Sequence, residues 1–414
     1  MTLRARVLSA LGSIALLFTT LALLFVAGEV VLRLAPWWGG RSADPPFNPY
    51  RPDGRTGFAL RAGADAVHTT GEFSVPVHVN ALGLRGPERT VGKPPGTARV
   101  LVLGDSFAFG FGVAQDETFS AQLERLLGER GLQVEVLSSG VPGWSLDNEL
   151  VYLRTEGFEL EPDLILVASC ENDLSDLGWN RLTLDAERLP VRVEATRRMI
   201  DPKGRMRYVN EGRYALPALT FPGQGWLEDH SLVYHFLRFR LTKLSAALSA
   251  RVGRPAPPPW LSVEPAPPIE SLSQEEIQLA LASSDAFQLR YHRYLAAALE
   301  RLAAARGIAV RTLLVSARGS KPARGSPVAD LHLDCDSRPA TCLDADDVLS
   351  RGEERSQYFF HSDEHWNAAG HRRIAQALAG WLAQEPALKA GAAAASADPG
   401  GGMADPVPSA PLRP

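Results

Sequence analysis

An alternation of short apolar runs with helical periods constrains this 414-residue chain more than any other feature. RVLVLG (99–104) is a continuous apolar run, the pattern shown by parallel strands buried on both faces. Helical periodicity follows in ETFSAQLERLLGERG (117–131), with Asp116 as the expected N-cap and Gly131 as the stop. LQVEVLSS (132–139) reads as a second strand, LDNELVYLRTEGF (146–158) as a helix capped by Ser145, and DLILVAS (163–169) as a third strand. Such a β-α-β-α-β series implies a parallel sheet with helices on its faces. Farther on, a capping box of Ser273 and Glu276 opens a long helix to about Arg306, which Gly307 ends. IAVRTLLVSA (308–317) is the next strand, and a final helix is expected from Trp366 to Gln384.

The flanks differ in texture. Val7 to Gly28 carries no charge, and its 22 residues would reach about 33 Å as a helix, enough to cross a bilayer core. Arg4 and Arg6 precede it, so residues 1–6 are expected in the cytoplasm, 7–28 in the membrane, and the rest outside. Trp37 and Trp38 would then sit at the outer interface. A cleaved signal peptide, cut near Val26-Ala27-Gly28, is the rival reading, with the same export. Residues 29–97 form a lead-in containing a hairpin-like run, Phe73 to Val79. The alternation pauses at about 175–270, an insertion with an amphipathic run (231–248) and a proline-rich loop (254–268). Residues 386–414 have no apolar period and read as a disordered tail.

Composition excludes several classes. A net charge of −4 gives no basic face for nucleic acid. Three cysteines cannot build a disulfide scaffold, although Cys335 and Cys342, flanking a short loop, could pair in an oxidising compartment. Cys170 lies in an apolar run and is expected to be a buried small residue. Gly110-Phe111-Gly112 lacks the third glycine of a dinucleotide fingerprint, and neither a P-loop nor a GxSxG elbow occurs.

Ligands of an open parallel sheet bind outside the carboxyl ends of the strands. There this chain places Gly104-Asp105-Ser106-Phe107, then Gly140 in SSGVPGWS, then Cys170-Glu171-Asn172-Asp173. His361-Ser362-Asp363-Glu364-His365-Trp366 stands just before the final helix. A hydroxyl, an amide, a carboxylate and an imidazole at one sheet edge are the groups that a serine nucleophile requires.

These four blocks, in this order, resemble those of the SGNH (GDSL) hydrolases over residues 98–385. The resemblance implies a flavodoxin-like three-layer α/β/α sandwich. It implies Ser106 as nucleophile, His365 as acid and base, and Asp363 as the residue that orients His365. The oxyanion hole would comprise the N–H groups of Ser106 and Gly140 and the amide of Asn172, with neither metal nor cofactor. Two positions depart from the family pattern. Cys170 replaces the glycine that usually opens the third block, and the acid stands two residues before His365, since Ser362 occupies the usual place. The DxHW form is similar to the SGNH-like domains of alginate-type O-acetyltransferases. The expected partner is therefore an acyl ester on a carbohydrate or lipid, with either water or a sugar hydroxyl as acceptor. A metal site built from His361, Asp363, His365 and His371 is the competing chemistry, but it lacks HExxH spacing. A non-catalytic envelope scaffold retaining the fold is the third reading.

Overall fold

The computed structural model describes residues 3–34, 47–70, 72–195, 198–200, 204–208, 227, 231, 233–234, 237, 255–317, 324–350, 354–361 and 363–389. Trp37, Trp38, Ser362, most of the run 231–248 and the tail beyond 389 lie outside the described residues.

Helix α1 (Leu3–Leu34) contains a span, Gly12–Leu34, of 23 residues with mean hydropathy 2.3, long and apolar enough to cross a membrane. It runs past Gly28, and near its end Glu29 accepts hydrogen bonds from Ser231 Oγ (3.0 Å) and Val233 N (3.1 Å). Two antiparallel hairpins follow, β1 (Tyr50–Asp53) with β2 (Gly57–Leu60) and β3 (Asp65–Thr69) with β4 (Ser74–His78). Asp53 Oδ1 tightens the first turn by accepting from the N–H groups of Arg55 and Thr56, both at 2.9 Å. Tyr50, Phe58, Leu60, Val77 and Val79 are buried in the same apolar cluster as Leu101 and Leu103, so the lead-in packs into the main core.

The main sheet begins with β5 (Ala98–Gly104), buried along all of its seven residues. Its chain continues through α2 (Ser106–Phe109), α3 (Phe119–Glu129), β6 (Val134–Ser138), α4 (Leu146–Thr155), β7 (Leu164–Cys170) and α5 (Asn172–Leu177). The hairpins β8 (Asn180–Leu184) with β9 (Pro190–Ala195) and β10 (Arg198–Ile200) with β11 (Met206–Tyr208) belong to the insertion. Then come α6 (Gln274–Ser283), α7 (Asp285–Ala304), β12 (Ala309–Val315), α8 (Pro327–Asp336), β13 (Cys342–Asp344), α9 (Ala345–Ser350) and α10 (Ala368–Leu382). The sheet order is β6-β5-β7-β12-β13 with every pairing parallel. Numbered within the sheet this is 2-1-3-4-5, the flavodoxin-like order.

Side chains of β5 divide between the two faces. Ala98, Val100 and Val102 join the cluster of α3 and α10, while Leu101 and Leu103 join that of α4 and α7. Burying each such Leu or Val contributes about 1.5–3 kcal/mol, against about 1 kcal/mol for a helix cap. The two-sided core therefore dominates the stability of these three layers.

Several boundaries correct the expectations. Thr118, not Asp116, caps α3: its Oγ1 accepts from Ala121 N, and Gln115–Glu117 forms a separate 3₁₀ turn. The helix after Ser145 ends at Thr155, followed by a 3₁₀ turn over Gly157–Leu160. The long helix from Ser273 is two helices, because Ser284 is extended (φ −140°, ψ 116°) and caps α7 by accepting from Phe287 N. The capping box of Ser273 and Glu276 forms as expected. Helix α10 begins after Trp366, since Asn367 Oδ1 takes the N–H groups of Ala369 and Gly370. Strand β13 and helices α8 and α9 occupy a stretch where the sequence reading assigned no element. Cys335 and Cys342 are disulfide-bonded, and Cys170 is a buried free thiol.

Candidate active site

The turn from β5 into α2 requires glycine. Gly104 has φ +155°, and a Cβ there would lie 2.7 Å from the Ala108 Cβ. Asp105, almost wholly buried, caps α2 through Oδ1, which accepts from Phe107 N at 2.9 Å. At the far end of α2 the carbonyls of Phe109, Gly110 and Val113 accept from the Arg85 guanidinium at 2.9, 2.5 and 2.6 Å. Burial lowers Arg85 only to about 10, so it stays charged at neutral pH and holds the otherwise orphaned carbonyls. Ser106 is thus fixed by a cap at one end of its helix and a buried cation at the other.

His365 Nε2 lies 2.7 Å from Ser106 Oγ. Its Nδ1 lies 2.5 Å from Asp363 Oδ1, and the same oxygen accepts from His365 N at 2.9 Å. The backbone bond pins the carboxylate where the ring needs it. An Nδ1–H donated to Asp363 leaves Nε2 as the acceptor facing Ser106. Burial works to raise the Asp363 carboxyl, but the hydrogen bonds and charge of His365 outweigh it and hold the group below its ordinary value. The imidazole stacks on Phe111 (4.3 Å between centroids) and leans on Phe107 (4.8 Å). Ser106 Oγ also has Asp105 Oδ2 at 3.4 Å, a much longer contact than the one to His365.

Gly140 lies against α2: a Cβ there would fall 2.3 Å from Phe109 N. Asn172 opens α5, and its amide donates to Asp176 Oδ2 at 3.5 Å. All five residues implied by the resemblance gather at the carboxyl ends of β5, β6 and β7 and the loop before α10. Asp173 is buried and takes the Cys170 N–H on Oδ2 at 2.9 Å, which closes the turn that carries Asn172. Cys170, in place of a glycine, is buried beneath that turn.

His371 goes elsewhere. It is buried, stacked on Phe119, and its Nδ1 accepts from Phe119 N at 3.2 Å. That separates it from the His365 side chain in the competing metal set. Trp366 is also fully buried, packed on Phe107 and Phe119, so its part in DxHW is to seat the loop.

Sequence reasoning missed four contributors. Arg85 and His68 come from the lead-in, Phe111 from the loop after α2, and His332 from α8. His68 stacks on Phe47 and meets Phe111 edge-on, and burial lowers it to about 4, so it is neutral. His332 is placed like His365, with Ser316 Oγ at 3.3 Å from Nε2 and Asp344 Oδ2 at 2.5 Å from Nδ1. Hydrogen bonds to Asp344 and then Glu171 raise it to about 10. It is an imidazolium beside a buried serine, hence a clamp and not a base. None of them stands directly after a strand of the main sheet: His68 lies within β3, His332 within α8, and Arg85 and Phe111 in loops.

No family model matches the chain, and no curated protein matches it. Among solved structures it is similar to a GDSL-like lipase from Bacteroides thetaiotaomicron, at 12% identity and a TM-score of 0.33, over 70% of this chain and 88% of that one. It is also similar to an acetyl xylan esterase, at 11% identity and a TM-score of 0.34, over 69% and 99% of the two chains. An esterase from Pseudoalteromonas, inhibited by monoethylphosphonate, matches at 11% identity and a TM-score of 0.33, over 69% and 98%. Likeness at this level leaves the chemistry to be argued from the site itself.

Proposed function

We propose that the chain is a membrane-anchored, extracytoplasmic serine esterase of the SGNH (GDSL) type that cleaves acyl esters, acetyl esters among them. The supporting observation is the unbroken line Asp363–His365–Ser106, with contacts of 2.5 and 2.7 Å, closed between residues 259 positions apart. Ser106 Oγ attacks the ester carbonyl carbon while its proton passes to His365 Nε2. The tetrahedral oxyanion is held by the N–H groups of Ser106 and Gly140 and by the Asn172 amide, each worth about 2.7–4 kcal/mol in comparable sites. When the carbonyl re-forms, the bond to the alcohol breaks and the alkoxide takes the proton from Nε2. Water then gives a proton to Nε2 and attacks the acyl carbon, and Ser106 leaves with that proton. Asp363 keeps the tautomer and stabilises the imidazolium in both halves.

Arg4 and Arg6, ahead of the uncharged run 7–28, support an uncleaved anchor with the catalytic domain outside the cytoplasm, on the periplasmic side in a Gram-negative cell. The ester is then one carried by an envelope carbohydrate or lipid. A glycan hydroxyl replacing water would make the protein an O-acetyltransferase, the reading that the position of Asp363 two before His365 favours. The buried Trp366 offers no stacking platform for that glycan. Purified in detergent, the full chain should release acetate from a simple acetyl ester, with Ser106→Ala slower by about 10⁴-fold or more. Acetate release that is equal in Ser106→Ala would overturn the esterase reading. Acetyl transfer to glycan oligomers faster than acetate release would select the transferase.

A further inference from the structure

Gly140 and Asn172 belong to different segments, and an oxyanion hole works only if their donors keep a fixed separation. One side chain of the insertion reaches both segments. Arg198, at the start of β10, donates from Nη1 to the Gly143 carbonyl at 2.7 Å and from Nη2 to Asp176 Oδ2 at 3.0 Å. Gly143 belongs to the turn that begins at Gly140, tied back by Trp144 N to Val141 O (2.9 Å) and Val141 N to Gly104 O (3.2 Å). Asp176 is the acceptor for the Asn172 amide at 3.5 Å. Gly143 has φ +90°, and a Cβ there would fall 2.8 Å from Arg198 Nε, so the Arg198 side chain packs closely against this turn. The Arg198 and Asp176 side chains are only 14% and 7% exposed.

We propose that Arg198 is a positioning residue that sets the distance between the two oxyanion donors contributed by Gly140 and Asn172. The inference rests on the esterase reading of the site. A guanidinium suits this task because its donors are fixed in one plane, whereas a lysine ammonium could not hold both acceptors in a fixed geometry. It also supplies positive charge to Asp176, which lies near the buried carboxyls of Asp105 and Asp147. The insertion thereby becomes part of the catalytic frame, with no atom of Arg198 assigned contact with the substrate.

The test uses the full chain in detergent with a soluble acetyl ester and a trifluoromethyl ketone, which binds as an oxyanion. Arg198→Lys and Arg198→Ala are expected to lower kcat by about 10- to 100-fold with KM within about threefold of wild type, and to weaken the ketone by a similar factor. Asp176→Asn should give the same split. Circular dichroism and Tm identify any variant that does not fold, and Arg198→Lys, which keeps charge and most of the bulk, then carries the test. Folded variants with unchanged kcat and ketone affinity, or with a change in KM alone, overturn the inference. A wild-type protein with no Ser106-dependent turnover would instead overturn the esterase reading, so the two failures are distinguishable.

Discussion

Replacing Asp363 with asparagine separates two functions that the carboxylate combines. In serine triads an Asp→Asn exchange can cost about 10⁴-fold by stabilising the wrong imidazole tautomer. Here Asp363 Oδ1 accepts from the His365 backbone N–H at 2.9 Å as well as from the ring. That N–H selects a carbonyl oxygen over an amide NH₂, so the introduced asparagine should present its oxygen to Nδ1 and keep the tautomer. What is lost is the charge. Two unit charges about 4 Å apart at an effective dielectric of 20 interact by about 4 kcal/mol. The Asp363 side chain is 33% exposed, so screening reduces this to roughly 2–3 kcal/mol. Asp363→Asn should therefore lower kcat/KM by about 30- to 150-fold, with KM little changed, in steady-state hydrolysis of an acetyl ester. A fall of 10⁴-fold would refute the claim that the backbone N–H holds the tautomer. A fall below about threefold would refute any electrostatic role for Asp363.

Three further outcomes follow from the packing. Arg85→Leu strands the carbonyls of Phe109, Gly110 and Val113 and should cost about 3 kcal/mol in denaturant unfolding, with loss of activity as α2 shifts. Unchanged stability would mean that those carbonyls find other donors. Gly140→Ala places a Cβ 2.3 Å from Phe109 N, so α2 must move; about 1–3 kcal/mol of destabilisation and at least a 10²-fold loss of kcat are expected. His332 is raised from 6.5 to about 10, so its stabilisation is complete below pH 6.5 and is lost as pH rises towards and through 10. The wild type should lose unfolding free energy across that window, and His332→Gln should lose less; parallel profiles would contradict the imidazolium clamp.

The sheet, and the gathering of Ser106, Asp363 and His365 at its carboxyl edge, were legible in the sequence for a physical reason. Strands such as Ala98–Gly104 are buried on both faces and so read as continuous apolar runs, and the polar residues of the site follow directly at their ends. Strand Cys342–Asp344 has only three residues, too few for any period to show. The break at Ser284 was hidden because the apolar residues of α6 and α7 continue one pattern across it, and a single serine cap decides the outcome. Arg85, His68 and Arg198 were illegible as site residues because their partners lie tens of positions away, and nothing local marks a charged or aromatic side chain as a strut. Trp366 stands next to His365 in sequence but turns into the core.

Covalent capture of the nucleophile tests the central claim most directly. A fluorophosphonate should add once to the full-length protein, and intact mass followed by peptide mapping should place the adduct on Ser106. Labelling should vanish in Ser106→Ala and slow by at least about 10²-fold in His365→Ala, because Nε2, 2.7 Å from the hydroxyl, activates it. An adduct that persists in Ser106→Ala, or wild-type protein that never labels, would contradict the assignment of Ser106, His365 and Asp363 as a working triad.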